Sequence, residues 1–268
     1  MTRRLAILAQ FDPEGGLPAH VRLHLEGLRP VVDRLILVSN SPLDPVSLAT
    51  AETICDRVLV RTNTGWDFAG WRDVLATEGT ADFDWVILTN SSVIGPLYPL
   101  EPIFENMEGR DADFWGMVLS RQKGLHLQSY FLSASARVVA SKAWREFWAS
   151  VENLEEKEDV ITRYEVGFTA TLMRAGYKPV PLFGLLPFPA NIRLVRLERF
   201  GGWITIPISI NLLGRSVRYH QELIAQGMPY LKASLIYGKD TDKFVGLDRI
   251  RAIAESNFPF NELDPPRS

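Results

Sequence analysis

The chain has 268 residues, 46% hydrophobic and 23% charged, with a net charge of -3. That length and balance suit one large α/β domain, or a domain with an extension, around a real core. The mildly acidic balance speaks against a nucleic-acid partner, which would favour a basic surface, and the single Cys55 excludes an intramolecular disulfide and fits a reducing compartment.

The N-terminal "MTRRLAILAQFD" puts basic residues before a short apolar run that ends at Gln10 and Asp12 with no small-residue cleavage site. It reads as a first core strand and not as a signal peptide. Residues 18–29 carry Val21, Leu25 and Leu28 at helical spacing. "DRLILVSN" at 33–40 is a second strand, followed by a short helix near 46–51. "DRVLVR" at 56–61 is a third strand, and "DFAGWRDVLAT" at 67–77 a helix. "DWVILTN" is a fourth strand, with a helix near 98–107 and a fifth strand at "DFWGMVL". Short apolar strands alternating with helices predict a mainly parallel sheet with helices on both faces.

Further on, "HLQSYFLSAS" at 126–135 reads as one strand and "KAWREFWASV" at 142–151 as a helix with an aromatic inner face. The acidic "ENLEEKED" at 152–159 reads as a solvated segment, residues 160–176 as a long helix stopped by Gly176, and "YKPVPLF" as a returning strand. This divides the chain into a binding core over 1–183 and a C-terminal extension over 184–268, with a helix near 216–226. The uncharged stretches 179–192 and 200–214 are too short and too broken by proline or glycine to span a bilayer. The expectation is a soluble protein with room for contact at a membrane surface.

The loops after the strands are unusually polar. Gln10 and Asp12 follow the first, Asn40 the second, Arg61, Asn63, Trp66 and Asp67 the third, and Asn90 and Ser92 the fourth. In a doubly wound sheet these carboxyl ends share one crevice, here offering an aromatic face, a carboxylate, amides and an arginine. Those groups suit a nucleotide, with the aromatic ring stacking a base and the polar groups binding ribose or base edges. The plainer alternative makes Trp66 and Trp71 core residues and Asn63-Thr64-Gly65 a turn. No glycine-rich phosphate cradle, zinc signature or serine-hydrolase elbow occurs. His20 and His24 stand at i, i+4, a spacing that can bind metal, although an exposed helix face is the simpler expectation. Cys55 reads as a buried thiol.

"NTGWDFAGWRD", "WVILTNSSVIGPLYPL", "DFWGM", "HLQSYFL", "VITRYEVGFTATLMRAGY" and "ELIAQGMPYLK" occur in an order that resembles the rhamnan synthesis protein F family of bacterial polysaccharide glycosyltransferases, over roughly residues 5–235. The resemblance implies a GT-A-like, Rossmann-type fold and an inverting transfer of a sugar, rhamnose by the family's name, from a dTDP-, UDP- or GDP-linked donor to a growing surface polysaccharide such as O-antigen. The acceptor would be lipid-linked, at the cytoplasmic membrane face. Comparison with inverting GT-A enzymes makes Glu165, ahead of the Gly176-Tyr177 turn, the general base. Gln10, Asp12, Asn40, Arg61, Asn63, Trp66, Asp67, Asn90 and Ser92 would line the donor site, and His126, Gln128 and Tyr130 the acceptor side.

One departure stands out. Where the family pattern leads us to expect Asn-Asp-Ser, the position that would bind Mn²⁺ or Mg²⁺ on the donor diphosphate, this chain has Asn90-Ser91-Ser92. Neutral oxygens hold a divalent ion more weakly than carboxylates. Either Asp12 or Asp67 holds a metal, or Arg61, Arg121 or Lys123 neutralises the leaving group without one, or the domain is a non-catalytic nucleotide- or glycan-binding module with a degenerate fold.

Overall fold

The computed structural model describes residues 2–184, 215–238, 240–255 and 257–265. The first part of the expected C-terminal extension, 185–214, lies outside the described residues, as do its last residues beyond 265.

Four parallel strands, β1 (Arg4–Gln10), β2 (Arg34–Ser39), β3 (Arg57–Val60) and β4 (Trp85–Asn90), form half of the main sheet in the order β3-β2-β1-β4. Between them run α1 (Ala19–Leu28), α2 (Pro45–Ile54) and α3 (Trp66–Leu75). β1 is buried along its whole length because both faces are covered. Ala6 and Leu8 join one core with α1, whereas Leu5, Ile7 and Ala9 join a second core on the opposite face with α3. Asp44 starts α2 by accepting the amides of Val46 (2.9 Å) and Ser47 (3.0 Å), with Pro45 preset for the first turn.

After β5 (Val93–Ile94), α4 (Glu101–Glu108) and β6 (Phe114–Ser120), the sheet order departs from chain order. The expected single strand over 126–135 is two, β7 (His126–Leu127) and β8 (Phe131–Ser135), and β8 inserts antiparallel between β4 and β6. Gln128, Ser129 and Tyr130 form the break. Because β8 runs opposite to β4, with Thr89 opposite Phe131, this break lies at the carboxyl edge of the parallel strands. A final strand, β9 (Pro179–Phe183), returns parallel to β6.

The helix α6 (Lys142–Ala149) follows the short α5 (Ala136–Val139) and buries Trp144, Phe147 and Trp148 at i, i+3 and i+4, as its aromatic face predicts. The helix expected over 160–176 starts earlier and is not uniform. α7 (Lys157–Val160) passes through a π-helical segment, Ile161–Val166, into α8 (Gly167–Arg174).

The expected helix near 216–226 appears as α9 (Arg215–Arg218) and α10 (His220–Ile224), followed by β10 (Leu231–Lys232), α11 (Ser234–Tyr237) and α12 (Leu247–Ala254). β10 pairs antiparallel with β5, Lys232 opposite Val93. Leu223, Ile224, Met228, Tyr230, Leu231 and Leu235 enter the same core as Leu8 and Leu25.

That packing corrects the expectation of an exposed histidine face. His20 and His24 are buried because Tyr230 and Tyr237 cover them, with ring centroids 4.9 Å apart for His24 and Tyr230. Burial, with a smaller contribution from His20, pushes the His24 imidazole down to about 3. The unfolded chain therefore takes up a proton at His24 below its ordinary value of 6.5 while the folded chain does not, and stability falls as pH drops from about 6.5 toward 3. Between pH 7 and pH 5 this group alone is expected to remove about 2 kcal/mol. Urea unfolding at both pH values should show that loss in the wild type and a smaller one in His24→Gln; equal losses would refute the assignment. Cys55 is buried as expected, and burial raises its thiol to about 12.

Candidate functional site

A cavity of about 390 Å³ opens at the carboxyl edge of the parallel strands. Seven of the nine expected donor residues line it: Gln10, Asn40, Asn63, Trp66, Asp67, Asn90 and Ser92. The rim before β8 adds Gln128, Ser129 and Tyr130, and the π-helical segment adds Glu165.

The β3–α3 turn shows why Gly65 precedes Trp66. Gly65 is left-handed at φ +74°, and a Cβ there would stand 2.8 Å from the Asn153 Cα. Trp66 itself is left-handed at φ 58°, a conformation that costs a bulky residue free energy and concentrates at functional sites. Its indole is anchored to the Glu155 carbonyl (3.2 Å), and the Lys157 ammonium lies over the ring. Trp66 is half-buried at the cavity, while Trp71 is core and donates to the Thr89 carbonyl (3.2 Å).

A polar chain runs across the cavity. Asn90 Nδ2 donates to Asp67 Oδ2 (2.6 Å); Asn90 Oδ1 accepts from the Ser92 amide (3.1 Å) and hydroxyl (2.6 Å); Lys232 Nζ donates to Ser92 Oγ (3.2 Å). The other oxygen of Asp67 accepts the Phe68 amide (3.2 Å). Burial raises the Asp67 carboxyl, the Asn90 bond opposes this, and the Glu165 charge adds to it. Glu165 Oε1 accepts both the amide (2.8 Å) and the hydroxyl (3.0 Å) of Ser129, and Oε2 has no hydrogen-bond partner among the described residues. Gln10 donates to Ser39 Oγ (2.6 Å), while its buried Oε1 carries no hydrogen bond.

Arg61, Asp12 and His126 do not line this cavity. Arg61 is held by Asp73 (2.8 Å) and the Thr64 carbonyl (3.0 Å) and donates to Asn40 Oδ1 (2.7 Å), so it positions Asn40. Asp12 accepts the Gly16 amide (3.0 Å) and lines a neighbouring cavity of about 350 Å³ with His20 and Ser91. His126 is buried and donates to the Gly124 carbonyl (2.8 Å). Lys123 pairs with Glu158, and Arg121 is exposed outside the cavity lining.

Sequence reasoning missed Ser129, Lys157 and, most consequentially, Lys232. It lies within the quoted "ELIAQGMPYLK", but only the β10–β5 pairing carries it into the cavity. Its ammonium sits 4.3 Å from the centroid of the Tyr130 ring. Desolvation lowers it to about 8, against the raising influence of Glu165, while Lys157 lowers it further.

The cavity does not fit a divalent ion. Its carboxylates are Asp67, with both oxygens already accepting hydrogen bonds, and Glu165. Among the described residues no cluster of three His, Cys, Asp or Glu forms, and the Lys232 ammonium occupies Ser92 Oγ. Also among the described residues, no helix is long and apolar enough to cross a membrane.

An α/β sheet with helices on both faces and a polar cavity at the carboxyl ends of its parallel strands is the architecture of the doubly wound class, in which ligands bind at that edge. The chain belongs to the rhamnan synthesis protein F family, whose profile matches residues 35–184, in agreement with the ordered motifs. A curated relative from Sinorhizobium fredii (strain NBRC 101917 / NGR234), the uncharacterized protein y4gN, is 26% identical over 179 residues, 65% of this chain. The chain spans about half, 46%, of that relative's length. Among solved structures, a Desulfovibrio desulfuricans G20 protein described as a nucleotide-diphospho-sugar transferase is 15% identical with a TM-score of 0.45, over 69% of this chain and 81% of that one. Glucosyl-3-phosphoglycerate synthase from Mycobacterium tuberculosis is 16% identical with a TM-score of 0.39, over 75% and 82%.

Proposed function

We propose that the chain is an inverting, GT-A-like glycosyltransferase that takes a sugar, rhamnose by the family's name, from a nucleoside-diphosphate donor to a lipid-linked surface glycan at the cytoplasmic membrane face. The observation that carries this reading is the convergence of Trp66, Asn40, Asn63 and Asn90 on one cavity with Glu165 facing them. Trp66 and Gln10 take the base, and Asn40, Asn63 and Asp67 the ribose. Gln128 and Tyr130 hold the acceptor sugar. Glu165 accepts the acceptor hydroxyl proton as that oxygen bonds to the anomeric carbon and the bond to the diphosphate breaks. In this reading 1–183 carry the donor and acceptor sites, and the extension from 184 completes the cavity through Lys232.

A thermal-shift panel of dTDP-, UDP- and GDP-sugars tests it. A donor at about 100 times its dissociation constant adds roughly 2.7 kcal/mol of stability, enough for a clear rise in melting temperature. One nucleotide class is expected to shift the protein, and a glycan acceptor to release the nucleoside diphosphate. No shift with any nucleotide would sink the reading. The absent carboxylate after β4 favours a second one, a non-catalytic nucleotide- or glycan-binding module, which predicts binding with no release.

A further inference from the structure

The metal question and Lys232 have one answer in the geometry. Behind β4 the chain offers Asn90-Ser91-Ser92, with no carboxylate, and Asn90 and Ser92 are already tied into the hydrogen-bond chain from Asp67. A cation stands at the far end of that chain. Lys232 meets one hydroxyl and one aromatic face, with no ion pair among the described residues.

That environment is unusual for a lysine. Most structural lysines are either solvated or paired, and a partly desolvated, unpaired ammonium costs stability unless a ligand supplies the countercharge. Glu165 and Asp67 exert long-range attraction on it without ion-pair contact. Among the described residues, the other cation on the cavity is Lys157, which is exposed and lies 5.5 Å from the centroid of the Trp66 ring, on the side where the base would stack. The arrangement offers an anion two ammonium groups, of which Lys232 is the less exposed.

We infer that Lys232 binds the donor diphosphate and neutralises it as a leaving group, in place of a divalent cation. This rests on the reading that the cavity takes a nucleoside-diphosphate sugar. When the anomeric carbon–oxygen bond breaks, both electrons pass to the diphosphate oxygen, and the developing charge is met by the ammonium. No proton need leave Lys232, because the acceptor proton goes to Glu165. Transfer by this chain is therefore independent of Mn²⁺ and Mg²⁺.

The test is calorimetric titration of UDP, dTDP and GDP, and of the corresponding nucleosides, into the full chain in EDTA and again with Mn²⁺. Wild type, Lys232→Met, Lys232→Arg and Lys157→Met are compared, with thermal melts to establish that each folds. The expected result is diphosphate binding in EDTA, weakened about 10- to 100-fold by Lys232→Met, the range for one charge-assisted hydrogen bond. Nucleoside affinity should be unchanged in that variant, Lys232→Arg should restore most of the diphosphate affinity, and Lys157→Met should cost less. Removal of an unpaired ammonium should also raise the melting temperature of Lys232→Met, so lost binding cannot be mistaken for lost folding. Diphosphate binding that requires Mn²⁺, or that survives Lys232→Met, overturns the inference and leaves the donor-site reading intact. Failure of every nucleotide to bind wild type under both conditions overturns both.

Discussion

Replacement of Glu165 by glutamine is expected to lower sugar transfer by about 10²- to 10⁴-fold, the usual contribution of a positioned general base, with nucleotide affinity unchanged. Glutamine keeps an oxygen to accept the Ser129 amide and hydroxyl, so the rim before β8 stays in place. What is lost is the carboxylate oxygen open to the cavity. Lys157, Ile161 and Glu165 line the cavity together at i, i+4 and i+8, and Glu165 lies in the π-helical segment, a kind of turn that recurs at functional sites. Ser129→Ala should give a smaller loss, since it removes the hydroxyl bond to Glu165 and leaves the amide bond and the carboxylate in place. Single-turnover assays with the donor identified by the binding panel would separate these effects. A Glu165→Gln enzyme with wild-type turnover would remove Glu165 from the chemistry.

The parts of this fold legible in the sequence are those whose cause is local. β1, β2 and β4 read as continuous apolar runs because helices cover both faces of the sheet, and their polar carboxyl ends marked Gln10, Asn40 and Asn90. The sheet order was not legible. The insertion of β8 between β4 and β6 depends on a pairing between residues more than 40 apart, and nothing in "HLQSYFLSAS" announces a break at Gln128–Tyr130. The π-helical segment left no trace either, since "ITRYEV" has neither glycine nor proline to mark it. The burial of His20 and His24 is illegible for the same kind of reason, because the tyrosine that covers His24 is 206 residues away. Lys232 reaches Ser92 across 140 residues. Sequence periodicity reports which side of an element is buried and is silent on what buries it.

A chain ending before Arg215 is expected to lose cooperative folding altogether, not merely the cavity's lysine. Leu223, Ile224, Met228, Tyr230, Leu231, Leu235, Ile236, Ile250 and Phe260 share one core with β1, α1 and β5. Burial of one such side chain contributes about 1.5–3 kcal/mol against a total stability of roughly 5–15 kcal/mol, so the loss of cover over several side chains of the remaining core is comparable to the whole. It would also uncover the partners left behind: His24 and Phe131 would lose Tyr230, whose hydroxyl lies 3.1 Å from His24 Nε2 and whose ring centroid lies 5.7 Å from that of Phe131. Calorimetry and dye binding on the shortened chain should show no sharp transition and exposed apolar surface. A shortened chain that melted cooperatively would make 215–265 a separable appendage. In that event Lys232→Met and the shortened chain should lose diphosphate affinity equally. If instead the core fails without its C-terminal segment, the pairing of β10 with β5 ties the folding of the sheet to the delivery of the anion-binding lysine, so that no folded form of the site lacks its cation.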